Sequence, residues 1–187
     1  MNRKAKFQQS RQIGRNKLPL IFINYRRRDE AYAAALLDEA LSKHFDRDAI
    51  FRASRSIKAG DDYEVSILQA VGHCRAMLVL IGPNWSAALT GGHAGTRDDW
   101  VRREIMEAFK REIPVIPILL SGAARLNEED VPSDIARITR MQYLRFDYRN
   151  FEQDSQKITQ ELIRATPELT SRGYRKVFAR FRMRQHR

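Results

Sequence analysis

Short apolar runs alternate with helix-period stretches along most of the chain. Leu18-Pro19-Leu20-Ile21-Phe22-Ile23 is a compact β-branched and aromatic run and predicts a first strand. Residues 29–44 follow, with Ala33, Leu36, Leu37, Ala40 and Leu41 at i, i+3, i+4, i+7 and i+8, the stripe of an amphipathic helix. Ala49-Ile50-Phe51 predicts a short second strand, and residues 61–73 a helix that turns Val65, Ile67, Leu68 and Val71 inward. Ala76-Met77-Leu78-Val79-Leu80-Ile81 is apolar without interruption, as in a strand covered on both faces. A glycine-rich loop, Gly91-Gly92-His93-Ala94-Gly95-Thr96, precedes a helix from Trp100 to Lys110 that Asp98-Asp99 opens. Ile113–Leu120 reads as the next strand, and its prolines, Pro114 and Pro117, predict a place near a sheet edge. Residues 121–133 read as a polar loop, Met141–Phe146 as the last strand and residues 151–165 as a closing helix.

Strands separated by helices predict an α/β fold, a parallel sheet with helices on both faces. Ligands of such sheets sit beyond the carboxyl ends of the strands, near the point where strand order reverses. Four segments fall there: Asn24–Arg28, Arg52–Asp62, Gly82–Thr96 and the helix start at Trp100.

Composition narrows the class. A chain of 187 residues, 43% of them hydrophobic, is long enough for one domain with a real core. Its lone cysteine, Cys74, excludes a disulfide framework, fits a reducing cytosol and is read as a packed thiol. No apolar run approaches the ~20 residues of a membrane span. Polar Gln8-Gln9-Ser10 stands where a signal peptide needs its apolar stretch, so a cytoplasmic protein is expected. The net charge of +11 suggests nucleic acid until it is located. Residues 1–17 carry six Lys/Arg and no acid, and residues 167–187 carry seven Lys/Arg against Glu168. The body between them has a net charge of −1, without a basic groove for phosphates, so no specific nucleic-acid partner is expected.

Candidate chemistry gathers at the strand ends. Tyr25-Arg26-Arg27-Arg28 follows the first strand, where guanidiniums can pair with a diphosphate, although a solvated charge run fits the same residues. Tyr63 opens the helix after Asp61-Asp62 and can stack on a flat ring or merely pack; either aspartate suits a cap. Trp100 and Glu104, at i and i+4, share a helix face. An apolar wall beside a fixed carboxylate suits a reaction in which positive charge develops on a sugar carbon. From spacing alone, a core tryptophan beside a surface glutamate is the favoured reading. The four histidines show no helical ligand spacing, so no metal site is expected, and nucleophile-elbow and Walker-type sequences are lacking.

Taken in order, these segments resemble a Toll/interleukin-1 receptor (TIR) domain of the bacterial type. Ile21-Phe22-Ile23-Asn24-Tyr25-Arg26-Arg27 is similar to the family's F-I-S-Y-R-R box, and Ile57-Lys58-Ala59-Gly60-Asp61-Asp62-Tyr63-Glu64 to its BB loop and the following helix start. Leu78–Trp85 is similar to the central strand and its exit, Asp99–Ile105 to the W-x-x-x-E segment, and Ile113–Pro117 to the strand after it. The resemblance covers residues 18–166, between a basic tail (1–17) and a basic C-terminal extension (167–187). Two positions differ from the pattern: Asn24 replaces a serine, and Ala53 stands where an acid is often found.

The resemblance implies a flavodoxin-like three-layer sandwich with a five-stranded parallel sheet. Catalytic members cleave the nicotinamide–ribose bond of NAD⁺, giving nicotinamide with ADP-ribose or a cyclic isomer, in antiphage immune signalling. NAD⁺ is then substrate, with no further cofactor. Glu104 matches the catalytic glutamate; Tyr25, Arg26, Arg27, Tyr63 and Trp100 match substrate-binding positions, with Tyr63 against the nicotinamide end and the arginines toward ribose or phosphates. Homo-oligomers through TIR–TIR contacts are also implied. With only a TIR domain and short tails, the chain is expected to work with a separately encoded sensor or effector, as in Thoeris-type systems. The competing reading is a non-catalytic scaffold assembling through TIR–TIR contacts. In the extension, Tyr174, Val177, Phe178 and Phe181 form a basic amphipathic stripe that suits a partner, an acidic membrane surface or the chain's own body; membrane contact is not the expected role.

Overall fold

The computed structural model of the chain describes residues 19–90 and 99–169. Strand β1 spans Ile21–Asn24, β2 Ile50–Phe51, β3 Ala76–Ile81, β4 Val115–Leu120 and β5 Leu144–Phe146. They form one sheet in the order β2-β1-β3-β4-β5, with every neighbouring pair parallel. That is the flavodoxin-like order, with the reversal between β1 and β3. The six residues of β3 are all buried, and their alternation divides the core. Met77, Val79 and Ile81 enter one apolar cluster, while Ala76, Leu78 and Leu80 enter the other.

Helices cover both faces. On the first lie α3 (Tyr63–His73), α4 (Trp85–Thr90) and α5 (Trp100–Lys110), contributing Ile67, Val71, Trp85, Val101, Ile105 and Ala108. On the second lie α1 (Ala31–Leu41) and α6 (Phe151–Ala165), contributing Ala34, Leu37, Leu41, Ile158 and Leu162. A four-residue turn of helix, α2 (Ala53–Ser56), follows β2 and buries none of its residues. The result is the expected three-layer α/β sandwich. Among the described residues no helix is long and apolar enough to cross a membrane.

Several local expectations are corrected. Strand β4 lies next to the edge strand β5, near the edge as its prolines suggest, but is itself paired on both sides. Its prolines fit because of where pairing begins. Pro114 O accepts from Met77 N, so by alternation Pro117 turns its nitrogen toward β5, whose pairing starts only at Ile118. The proline marks an unpaired stretch of an inner strand. The stripe of α1 is rotated: Leu36 is 39% exposed, and Asp38 is buried beside Ala34, Leu37 and Leu41. Ion pairs to Arg52 and Arg55 draw Asp38 inward. Val65 faces solvent, because Ile67, Ala70 and Val71 supply the buried face of α3. Helix α4 was not anticipated; it forms where Trp85, fully buried, anchors the exit of β3. Cys74 is a packed thiol, donating to Val71 O at 3.2 Å and pushed up to about 12 by burial. The basic tail 1–17, the loop Gly91–Thr96 and the stripe Tyr174–Phe181 lie outside the described residues.

Candidate active site

Two helix starts and two strand ends meet at the carboxyl edge of β1 and β2. Helix α3 begins at Asp62, whose carboxylate accepts from Val65 N at 2.9 Å. Helix α5 begins at Asp99, which accepts from Arg102 N at 3.3 Å. Both are aspartate caps, and both helices present their amino ends to the same space. That space is a cavity of about 420 Å³, within the size range of small-molecule sites. Its wall holds Tyr25, Arg26, Arg27, Tyr63, Trp100 and Glu104, so one pocket unites all six sequence candidates. The described part of the β3 exit contributes none of the lining.

Glu104 sits one turn into α5 and is only 6% exposed. Asn24, the last residue of β1, donates from Nδ2 to Glu104 Oε2 at 2.6 Å and to Val101 O at 3.1 Å. The asparagine in the serine position thus supplies the hydrogen bond directly to the carboxylate. Burial nevertheless pushes Glu104 up to about 8; the Asn24 hydrogen bond opposes this rise and the Asp99 charge adds to it. At neutral pH the carboxyl is balanced near its own titration, with a neutral donor and, among the described residues, no cation paired with it.

The aromatic wall is braced from outside. Tyr63 meets Trp100 edge-on, ring centres 5.6 Å apart and planes at 89°. The Arg103 guanidinium lies 4.7 Å from the Trp100 ring centre and pairs with Glu64 at 2.5 Å, joining α5 to α3 over the rim. Tyr63 remains half exposed. Its hydroxyl is raised above the ordinary value, first by burial and then by the Glu104 charge.

The arginines divide. Arg26 donates to both oxygens of Asp99, at 2.9 and 3.2 Å, and so ties the end of β1 to the cap of α5. Its backbone N–H donates to Glu30 Oε2 at 2.8 Å. Glu30 is a second buried carboxylate, raised to about 7 mainly by burial, with the Arg26 amide pulling the other way. It lies so close to Gly82 that a Cβ there would stand 2.7 Å from Glu30 Oε1, so a side chain at the exit of β3 would require the Glu30 carboxyl to move. Arg27, by contrast, is exposed at the pocket rim.

Sequence reasoning missed the opposite wall. Ala53, Ser54 and Ile57 line the cavity beside Tyr25, whose hydroxyl donates to Ser54 Oγ at 2.9 Å. No residue pattern marks Ser54. Asp99 also lines the pocket, and its place beside Trp100 as a cap was the available signal. Among the described residues no group of three His, Cys, Asp or Glu side chains is placed to hold a metal ion.

A parallel α/β sandwich with a carboxylate in an aromatic pocket at its carboxyl edge is the class defined so far. A model of the TIR domain matches residues 21–163, and the chain belongs to the TIR-domain family. Among solved structures, the TIR domains of the activated Roq1 resistosome recognising the pathogen effector XopQ match with a TM-score of 0.53 at 14% identity, over 77% of this chain and 96% of that one. A metazoan TIR-STING receptor from C. gigas, in complex with 2',3'-cGAMP, matches with a TM-score of 0.50 at 18% identity, over 74% of this chain and 39% of that one. These likenesses show a common fold. No curated protein compared with the chain gives a significant match.

Proposed function

We propose that this TIR protein, of the bacterial type, cleaves the bond between nicotinamide and ribose in NAD⁺. The observation that carries the reading is Glu104, buried at a pocket walled by Tyr63 and Trp100 with no counterion among the described residues. In this reaction the C1′–N bond breaks and its electron pair stays on the pyridine nitrogen, so nicotinamide leaves neutral. Positive charge moves from the ring to the ribose C1′ and ring oxygen. A carboxylate beside the ribose rather than beside the ring attracts that charge more strongly in the transition state than in the ground state, which is the condition for catalysis. No strong general acid is needed, because the leaving group takes no proton.

The remaining roles belong to the same proposal. Tyr63 and Trp100 form the apolar wall for the nicotinamide end, and Tyr25 closes the other side. Arg27 at the rim meets the diphosphate. Arg26, committed to Asp99, keeps Asp99 and the start of α5 in register. Water attacking C1′ and losing a proton gives ADP-ribose; attack by a nucleophile of the same molecule gives a cyclic isomer. A place in antiphage signalling, with assembly through TIR–TIR contacts and a separately encoded partner, belongs to the same proposal and is supported by the family resemblance.

The test is NAD⁺ incubated with concentrated protein and the products separated by chromatography, with Glu104→Gln in parallel. Nicotinamide release by the wild type is expected, with the variant at least about a hundredfold slower and unchanged in circular dichroism. Undiminished release by Glu104→Gln would remove Glu104 from the chemistry. Absence of release from the wild type at high concentration would favour the non-catalytic scaffold.

A further inference from the structure

Helix α1 places a carboxylate where its neighbours in the buried stripe are apolar. Asp38 is 2% exposed, beside Ala34, Leu37, Ala40 and Leu41. Two guanidiniums meet it there. Arg52 Nε donates to Asp38 Oδ2 at 2.8 Å; Arg55 donates to Oδ1 at 3.1 Å, with its Nε 2.8 Å from Oδ2. Arg55 also donates to the carbonyls of Ile50 at 2.7 Å and Arg47 at 3.2 Å, fastening α2 to β2. From Arg52 the network turns toward the pocket. Its second nitrogen donates to Ser54 Oγ at 2.6 Å, the same oxygen that accepts from Tyr25. Ser54 and Tyr25 line the cavity with Ala53 and Ile57; Asp38 does not. Helix α2 and the residue after it touch the core only through the partly buried Ala53 and Ile57, so the ion pairs of Asp38 add the polar fastening of this wall.

We propose that Asp38 is a positioning residue of the active site. By clamping Arg52 and Arg55 it fixes α2, and through Ser54 and Tyr25 it sets the wall that receives the substrate. The inference rests on the NAD⁺-cleaving reading for its kinetic consequence, while the clamp itself can be measured without turnover.

Asp38→Asn keeps the shape and removes the charge. With a loosened wall the KM for NAD⁺ should rise about tenfold, with kcat per folded molecule within about threefold of wild type. Hydrogen exchange across residues 53–57 should accelerate by about the same factor, with β3 unchanged. A residue that only supports the fold would lower the melting temperature and the active fraction but leave KM where it was. If Asp38→Asn fails to fold, Arg52→Gln leaves Arg55 on Asp38 and should move KM and exchange in the same direction. Unchanged KM together with unchanged exchange at 53–57 would overturn the proposal. If the wild type proves inactive on NAD⁺, the functional reading falls and exchange alone decides: acceleration at 53–57 upholds the clamp and its absence overturns it.

Discussion

Asp38 and Glu104 are buried to similar degrees, 2% and 6% exposed, in opposite company. Asp38 is met by two guanidiniums, neither of which lines the pocket. Glu104 has one neutral amide donor, and burial pushes it up to about 8. A buried charge with its partners built in is a joint; removing one partner is costly, and the pair does little else. A buried carboxyl without a cation leaves that place vacant for charge brought by a ligand. On the proposed reading that charge is the positive one of NAD⁺, arriving on the ring and moving to the ribose. The two carboxylates thus separate the wall that shapes the pocket from the group that acts inside it.

The pH profile should break the comparison most widely. Only ionised Glu104 can stabilise a cationic sugar, and kcat/KM reports the free protein. It should rise with pH and level off above an apparent pKa near 8, a change of roughly a hundredfold from pH 6 to the plateau. Steady-state rates across that range check it. A flat profile would detach Glu104's ionisation from the rate. Asp38→Asn should leave the apparent pKa of this limb in place, because Asp38 faces its arginines and not the cavity.

The two sites differed in how far the sequence disclosed them. Trp100 and Glu104 were legible because the i, i+4 spacing puts them on one helix face whatever surrounds it. Tyr25, Arg26, Arg27 and Tyr63 were legible because strand ends in parallel sheets collect at one edge. Ser54 was not, because its place depends on a four-residue helix held by side-chain contacts fourteen and more residues apart. Asp38 carried a signal that the periodicity argument passed over: an acid at the i+4 position of the Ala34, Leu37, Leu41 stripe. Taking Ala33 and Leu36 as the stripe rotated the helix just enough to leave that acid in solvent. Pro117 shows the converse: it marked β4 as near the sheet edge, and the structure places it beside the edge strand, at the point where pairing with β5 has yet to begin.

Thermal stability should then give the two carboxylates opposite signs. The native state holds the Glu104 proton more tightly than the unfolded chain, with pKa about 8 against a model value of 4.5. That contribution is complete below 4.5 and is lost as pH rises through 8. Glu104→Gln carries no such loss, and its amide oxygen can still accept from Asn24. Its advantage should be nearly absent at pH 4.5 and reach about 4 kcal/mol, roughly 8–16 °C in melting temperature, by about pH 8.5. Asp38→Asn should instead cost about 2 kcal/mol at neutral pH, because two partly buried arginines lose their counter-charge. Paired melting curves at pH 5 and 8.5 decide this; destabilisation by both variants at pH 8.5 would mean that Glu104 is a joint like Asp38.

Asn24 offers the finest adjustment. It is the one donor seen on the Glu104 carboxylate, and its hydrogen bond holds that pKa below where burial alone would set it. Leucine has nearly the same shape and donates nothing. In Asn24→Leu the carboxyl should therefore rise further, and the rising limb of kcat/KM should move to higher pH. At pH 7 the rate should fall about tenfold, for a displacement of one pKa unit. Far above the limb both proteins have Glu104 ionised, so the deficit should close as the profiles converge. The Val101 carbonyl also loses this donor, but a helical carbonyl one turn from a cap has its own ladder partner. A deficit constant across the whole pH range would show that Asn24 orients Glu104 without tuning its charge. Convergence would show that the strand end sets the proton affinity of the helix residue it touches, as the 2.6 Å contact implies.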